Sequence, residues 1–499
     1  MRNYTVFAFI FVLLIVYPCF SQTPGQQLFD NSKIHEIKIS SLYESLTDTL
    51  TKNYLLSFGF GQIQTRKIPY ATSLLTIDGT VMDTIGVRYK GFNSWWNSVK
   101  KPIKIDLNKY KDQEYDGLSK FNLHNGSGDP SFVRENISYN LLRLLGIKAP
   151  RTAYAKVYMD NTYLGLYRLV EQVDNTFLDV NFGNHEGNLY VQQSKGSGGF
   201  VFDWISNNQE DYYESLELEN HQKTNDWSSL IHFLDVLNHT PDASFRNEIQ
   251  AVFDVDEYLQ ILAFEVVINN LDWYGNSGRN YYLAEVNGKF HWVPWDYNLS
   301  WREDAKPINI SAEDYPILIK RILNVPEFYN RFLRKYCELL PLLSNASFNA
   351  LVDNEVAMIK PLMEVDPFLD YSYEAFETNA ATTWENKPGL KEFAAQRYTD
   401  ITSTLQSLHL DCSVITDIPE GEESSLEMYP IPAKDILYIE LFPNKEMQVT
   451  IVNGLGQVVL QTKVNETGSV DVRQLPAGCY VLKASIGNKI YSRLLLVEH

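Results

Sequence analysis

Cysteine is scarce in this chain: four residues in 499, at positions 19, 337, 412 and 479. With no short spacing among them, a cysteine-rich metal site and a disulfide scaffold are both excluded. The nine histidines form no cluster and no nucleophile motif stands out, which puts a metal-dependent hydrolase last among the enzyme readings. Positive charge is short as well. Lys and Arg total 43 against 62 Asp and Glu, a formal net charge of −19. That balance argues against a general nucleic-acid or anionic-membrane binder, so an anionic ligand would need a local group of cations or a metal ion. Beyond the first 22 residues no apolar run is long enough to span a bilayer.

The first 22 residues look like a secretory leader. Met1–Gln22 has a basic start at Arg2, an apolar centre from Val6 to Val16 and a polar exit at Ser21-Gln22. Cys19 invites a lipoprotein reading, but Pro18 stands where such signals carry a small residue. Of the other cysteines, Cys337 and Cys412 either pair in an oxidising compartment or are buried thiols; the sequence leaves both open. The length allows two or three domains, and 44% hydrophobic with 13% aromatic residues supports a sizeable core.

The stretch from Asn269 to Trp301 carries the densest chemistry. A turn-prone run holding Asp272, Asn276 and Asn280 follows a long apolar helix pattern over Val255–Asn269. Strand-like runs at Asn280–Glu285 and Lys289–Pro294 flank Asn287-Gly288, a strong hairpin signal, and Asp296 stands where the second run ends. A loop acid, loop amides and a strand-end acid are a hard-oxygen set suited to Mg²⁺ and phosphates. The spacing does not reproduce the protein-kinase pattern: three residues separate Asp272 from Asn276 and seven separate it from Asn280. The plainer reading is a polar turn and a hairpin with loop-capping acids.

Upstream, Arg88, Lys90, Lys100, Lys101 and Lys104 make a local cationic excess in an acidic chain, with Gly91 and Ser94 beside it. Alternation puts Lys101, Ile103 and Ile105 on one strand face and Lys104 on the other. These cations are either phosphate contacts or lysines guarding a strand edge. The pattern then predicts a strand over Leu118–Asn125 and an amphipathic helix over Ser131–Leu145, capped by Ser131 or Asp129, with Glu135 one turn in. That glutamate either reaches a strand lysine or only offsets the helix dipole. A hairpin follows, Thr152–Met159 and Tyr163–Val170 around Asp160-Asn161, and exits into Glu171-Gln-Val-Asp174. Gly187–Gln193 reads as a strand, Lys195 lies in a glycine loop, and residues 203–226 read as an exposed acidic insertion.

From Trp227 the chain reads as helical: Trp227–Leu237, Phe245–Ala251, Val255–Asn269, then Ala312–Asn324, Pro326–Leu342, Ser347–Val365 and Trp384–Leu408. A β-rich first half and a helical second half predict an α+β fold in two lobes with a cleft between them. The expected divisions are a leader (1–22), a main domain (23–412), an acidic linker (413–427) and a small β-sandwich (428–499).

Over residues 70–305 the chain resembles the CotH kinase family. The carrying elements are Arg88-Tyr-Lys-Gly-Phe-Asn-Ser-Trp with Lys101 and Lys104; Asp129-Pro-Ser-Phe-Val-Arg134; Val157-Tyr-Met-Asp-Asn-Thr-Tyr-Leu-Gly-Leu-Tyr167 with Glu171 and Asp174; Asp272 with Asn280-Tyr-Tyr-Leu; and Pro294-Trp-Asp296. The family usually has Arg-Gly-Asn-Ser-Ser-Trp where this chain has Lys90-Gly-Phe-Asn-Ser-Trp. The resemblance implies a secreted, atypical kinase with a kinase-like fold that uses ATP and Mg²⁺ or Mn²⁺ on protein substrates. By position it implies Asp272 as the catalytic acid, Asp296 as the metal acid and Asn276 or Asn280 as the metal amide. Lys104 or Lys101, with Arg88, would hold phosphates, and Glu171 would make a hinge or ribose contact. The segment Tyr429–His499 resembles the sorting domain read by the type IX secretion machinery, through Tyr429-Pro-Ile-Pro-Ala, Asn453-Gly-Leu-Gly-Gln457 and Leu475-Pro-Ala-Gly-Cys-Tyr480. The rival readings are a nucleotide-binding pseudokinase and a surface adhesion or glycan-binding protein.

Overall fold

The computed structural model describes residues 23–42, 45–58, 67–192, 199–302, 308, 310–410, 412 and, with short breaks, 426–497. The leader, Lys195 and most of the linker lie outside the described residues. The first half builds a closed seven-stranded barrel from β1 (Ile34–Ser41), β2 (Ala71–Ile77), β3 (Thr80–Tyr89), β4 (Ile103–Asp106), β5 (Lys120–His124), β6 (Thr152–Met159) and β7 (Thr162–Glu171). Order around the barrel is β1-β2-β3-β4-β5-β7-β6, and a parallel pairing of β1 with β6 closes it. Two hairpin turns, Asp78-Gly79 and Asp160-Asn161, place both central residues at positive φ, the backbone that matches strand twist. Alternation sends Ile37, Leu75, Val87, Ile105, Leu123 and Leu169 inward to the barrel core.

A second sheet, β11-β10-β8-β9, consists of β8 (Leu189–Gln192), β9 (Leu216–Leu218), β10 (Tyr281–Val286) and β11 (Lys289–Pro294). Its hairpin turns at Asn287 (φ 52°) and Gly288 (φ 76°), as the sequence predicts. The helices follow the expected order, with adjusted ends. The expected Ala312–Asn324 helix is a short 3₁₀ turn, Ala312–Asp314, followed by Ile317–Leu323. The predicted Trp384–Leu408 helix starts only at Leu390, because Pro388-Gly389 delays it. Cys337 and Cys412 are joined in a disulfide. Among the described residues no helix is long and apolar enough to cross a membrane.

Two expectations are overturned. The helix predicted over Ser131–Leu145 runs Arg134–Leu144 and is not amphipathic, because every residue from Arg134 to Leu142 is buried. Phe132 at φ 60° breaks the chain just before it, and Asp129 accepts the Arg134 N–H at 2.9 Å. Its polar residues are buried because each has a partner: Asn140 on Glu355, Ser138 on Ser300, Arg134 on Asn379. The 203–226 stretch is no loose insertion either. Phe202, Tyr212, Leu216 and Leu218 are buried, and β9 extends the second sheet. The apolar residues between its acids outweigh its charge.

The C-terminal segment forms two antiparallel sheets. One is β12 (Leu426–Tyr429), β13 (Ile436–Leu441) and β16 (Thr467–Asp471); the other is β14 (Met447–Asn453), β15 (Val458–Val464), β17 (Gly478–Ile486) and β18 (Lys489–Val497). They enclose Leu437, Ile439, Val449, Ile451 and Leu482.

Candidate active site

The barrel's outward face supplies the cations. Arg88 stands opposite Lys104, Lys104 opposite Asn122, and His124 opposite Arg168. Lys90 follows β3 and donates its N–H to Pro102 O at 3.1 Å. Since the intervening residues face the core, period-two alternation collects Arg88, Lys90, Lys104, Asn122, His124 and Arg168 on one surface.

Glu135, on the buried helix, organises part of that surface. It accepts from Arg168 Nη1 at 2.7 Å and lies 3.0 Å from His124 Nδ1. The other imidazole nitrogen, Nε2, lies 2.7 Å from Lys90 Nζ. An ammonium only donates, so Nε2 accepts and the ring proton sits on Nδ1, facing Glu135. Burial would raise the Glu135 carboxyl, but His124 and Arg168 outweigh it and hold the group below its ordinary value. Lys90 is half-buried, with its ammonium 5.1 Å from the Trp295 ring centre. Burial pushes this lysine down against the pull of Asp296.

Asp296 lies two residues past the end of β11, in a left-handed conformation at φ 65°, its N–H donated to Tyr139 Oη at 2.9 Å. Ligand atoms of His124, Glu135 and Asp296 lie within 4.8 Å of one another. Burial, then Glu135, raise the Asp296 carboxyl, Lys90 opposes them, and Asp272 adds to the rise. Among the described residues no hydrogen bond reaches the Asp296 carboxylate, and the residue is half-buried.

Asp272 arrives from the other side. The Val255–Ile268 helix is mostly apolar and buried at every position but Asp256, and it ends at Asn269 in a left-handed turn (φ 45°). The Asp272 N–H donates to Asn270 Oδ1 at 3.2 Å, and its Oδ1 accepts from Ser277 Oγ at 2.8 Å. Asn280 donates its amide to Asp272 O at 2.6 Å, while Asn276 donates to Asn270 O and Leu271 O. Each amide therefore braces the loop backbone through its NH₂ group. The two acid-bearing segments are laced together: Leu271 N–H to Leu299 O at 3.2 Å, Trp301 N–H to Ile268 O at 2.6 Å, and Asn269 Nδ2 to Arg302 O at 2.6 Å. Glu265 bridges them from beneath, accepting from Tyr297 Oη at 2.6 Å and Asn270 Nδ2 at 3.0 Å. Burial pushes this carboxyl up to about 7.

The structure thus brings Asp272, Asp296 and Lys90 to one place, with Asn276 and Asn280 on the Asp272 loop. Arg88 and Lys104 lie farther along the same face. Burial lowers Lys104 to about 8, with Glu219 and Asp174 opposing the fall. Two other candidates are engaged elsewhere. Lys101 donates to Trp95 O and Ser98 O, both at 2.6 Å, and holds the 93–98 turn. Glu171 is 1% exposed and clamps Arg151 through both oxygens, so burial and that pairing remove it from hinge or ribose contact. Lys90 was visible only as part of a cationic run. Its phase with Arg88 on the outward face is the signal that singles it out, whereas His124 and Arg168 needed the strand register.

The donor set fits a hard divalent cation at Asp296. Among the described residues nothing hydrogen-bonds to its oxygens, and Asp272 is a second carboxylate within electrostatic reach. His124 and Glu135 are committed to each other and to Lys90 and Arg168.

Residues 87–401 match the CotH kinase protein family, and residues 427–498 match the secretion system C-terminal sorting domain. That sorting domain marks the chain for type IX secretion to the cell surface or outside. The chain is 27% identical over 289 residues to inner spore coat protein H of Bacillus subtilis, covering 56% of this chain and 77% of that one. It is 20% identical over 342 residues to spore coat protein homolog 1 of Rhizopus delemar, covering 60% of this chain and 54% of that one. The chain therefore spans about half the length of the latter relative. A chain in the HipA, HipB and operator DNA complex of Shewanella oneidensis MR-1 aligns with 14% identity and a TM-score of 0.28, over 64% of this chain and 66% of that one. At that score the likeness carries no weight.

Proposed function

The chain belongs to the CotH kinase protein family, and from that premise we propose that it is an exported protein kinase of two kinase-like lobes, moving the γ-phosphoryl group of ATP to a protein hydroxyl. The observation that carries this reading is the lacing of the Asp272 loop to the strand end bearing Asp296, beside Lys90. In phosphoryl transfer a protein mostly positions groups and neutralises charge, and these residues do both. Asp296, with an amide oxygen of Asn276 or Asn280, would hold Mg²⁺ or Mn²⁺, which supplies charge neutralisation at the phosphate oxygens when bound.

Lys90 takes the phosphate-contacting role, held in place by His124 and Glu135; Arg88 and Lys104 extend the cationic floor along the nucleotide. Asp272, aimed by Ser277 and Asn280, accepts the proton of the acceptor hydroxyl as its oxygen attacks the γ-phosphorus and the bond to the β-phosphate oxygen breaks. Glu135 reaches Lys90 through His124, where protein kinases use a direct lysine–glutamate pair.

The test is labelled-phosphate transfer from ATP with Mg²⁺ or Mn²⁺ to mixed protein acceptors. Asp272→Asn should cut transfer by about 10²–10⁴-fold, the range for a lost general base, while ATP still raises the melting temperature. Nucleotide stabilisation without transfer by the wild type would leave a nucleotide-binding pseudokinase. Absence of both, with glycan-array binding, would leave an adhesion protein.

A further inference from the structure

The start of the Asp272 loop is held by a residue far away in sequence. Of the last carbonyls of the Val255–Ile268 helix, which a helix end leaves short of partners, Val266 O receives only a long bond of 3.4 Å from the Asn269 N–H. Ile268 O is taken by the Trp301 N–H. Val267 O accepts from Arg397 Nε at 2.8 Å, and Val266 O accepts from Arg397 Nη2. Arg397 is 1% exposed, and the acid paired with it, Asp400, stands 3.8 Å away, so much of its charge is directed at the negative end of the helix dipole. Two residues beyond Val267 the chain turns left-handed at Asn269, and Asp272 follows.

Arg397 lies on the Leu390–Ser407 helix, which Leu390, Phe393, Ile401 and Leu405 bury. Past its end the chain turns back, Leu410 N–H donating to Leu405 O at 2.9 Å, and reaches Cys412. Cys412 is bonded to Cys337 on the Pro326–Leu343 helix, which packs against both the Arg397 helix and the Val255–Ile268 helix. The disulfide therefore closes a three-helix unit whose exit is the catalytic loop.

We propose that Arg397 is the positioning residue that fixes the Asp272 loop, and that the Cys337–Cys412 disulfide latches it, so that the site is set only after the chain leaves a reducing compartment. Closing the latch joins two thiols in one S–S bond. A small-molecule or protein disulfide accepts the two electrons and two protons and leaves as two thiols. The consequence for catalysis rests on the kinase reading; the positioning itself does not.

Amide hydrogen exchange on the full chain tests it, comparing wild type, wild type in dithiothreitol, Arg397→Met, Arg397→Lys and Cys412→Ser. Exchange at Asn269–Gly278 should quicken by about tenfold or more in Arg397→Met, in Cys412→Ser and on reduction, with β3–β5 keeping wild-type protection. Arg397→Lys, which keeps a cation and donors, should recover part of the loss. Where wild type transfers phosphate, the same variants should lose turnover with little change in nucleotide affinity. Unchanged loop exchange in Arg397→Met overturns the positioning role, as does an equal quickening across the whole chain. Loop exchange indifferent to reduction and to Cys412→Ser overturns the latch. A wild type that transfers no phosphate defeats the kinase reading and leaves the exchange data to judge this one.

Discussion

Among the described residues stand two clusters of one histidine and two carboxylates, and they differ in how their acids are engaged. His124, Glu135 and Asp296 form one; Asp254, Glu257 and His291 form the other. In the second, each acid has a partner, although the buried Glu257 Oε1 is met by an ion pair and completes no hydrogen bond. Asp254 caps a helix by accepting the Glu257 N–H at 3.0 Å, and Glu257 lies 2.9 Å from Lys148 Nζ and 3.2 Å from His291 Nδ1. In the first, Glu135 is equally occupied, but no described residue hydrogen-bonds to the Asp296 oxygens, while burial and two neighbouring acids raise that carboxyl. A cluster whose acids are all paired stabilises a fold; one with an acid that no described residue pairs has something left to bind. Ligand type does not separate the two clusters, whereas the partners of each carboxylate do.

The first way to sharpen this contrast is through Glu135. Glu135→Gln takes from buried Arg168 its nearer counter-charge, leaving only Asp129 at 3.8 Å, and should cost about 3 kcal/mol in urea unfolding, the low end for breaking a buried pair. His291→Ala in the closed cluster touches a half-buried group and should cost about 1 kcal/mol or less. A smaller loss for Glu135→Gln than for His291→Ala would break the comparison. Second, Lys90→Met should weaken ATP binding on the order of 100-fold, the cost of truncating one partner of a desolvated charge pair. Lys148→Met should leave ATP affinity unchanged.

A third prediction concerns pH. Glu355 is fully buried beneath Asn136 and Asn140, and burial raises its carboxyl to about 7 from an ordinary 4.5. Between those values the folded chain binds more protons than the unfolded one, so stability falls as pH rises from about 4.5 to about 7. Glu355→Gln should remove up to ~3 kcal/mol of that fall, at a roughly constant cost of about 1 kcal/mol for one mispaired amide. Urea midpoints for the two proteins at pH 5 and pH 8 check it; parallel shifts would contradict it.

What the sequence made legible was local. Asp78-Gly79, Asp160-Asn161 and Asn287-Gly288 each announced a hairpin because their residue types tolerate positive φ. The apolar run delivering Asp272 and the strand delivering Asp296 were visible, as was the β-rich C-terminal segment. What stayed hidden depended on register and closure. Lys90 meets His124 only because β3, β4 and β5 pair as they do. The polar helix at Arg134 lies buried only because Glu355, Asn379 and Ser300 come from far along the chain to meet it. Lys101 and Glu171 had the right charge beside the right motifs, but local partners hold them.

The most direct test is calorimetric titration of MnATP into wild type, Asp296→Asn and His291→Ala. The account predicts that Asp296→Asn abolishes metal-dependent nucleotide binding and that His291→Ala binds like wild type. Binding that survives Asp296→Asn and disappears in His291→Ala would place the site at the other cluster and contradict the account.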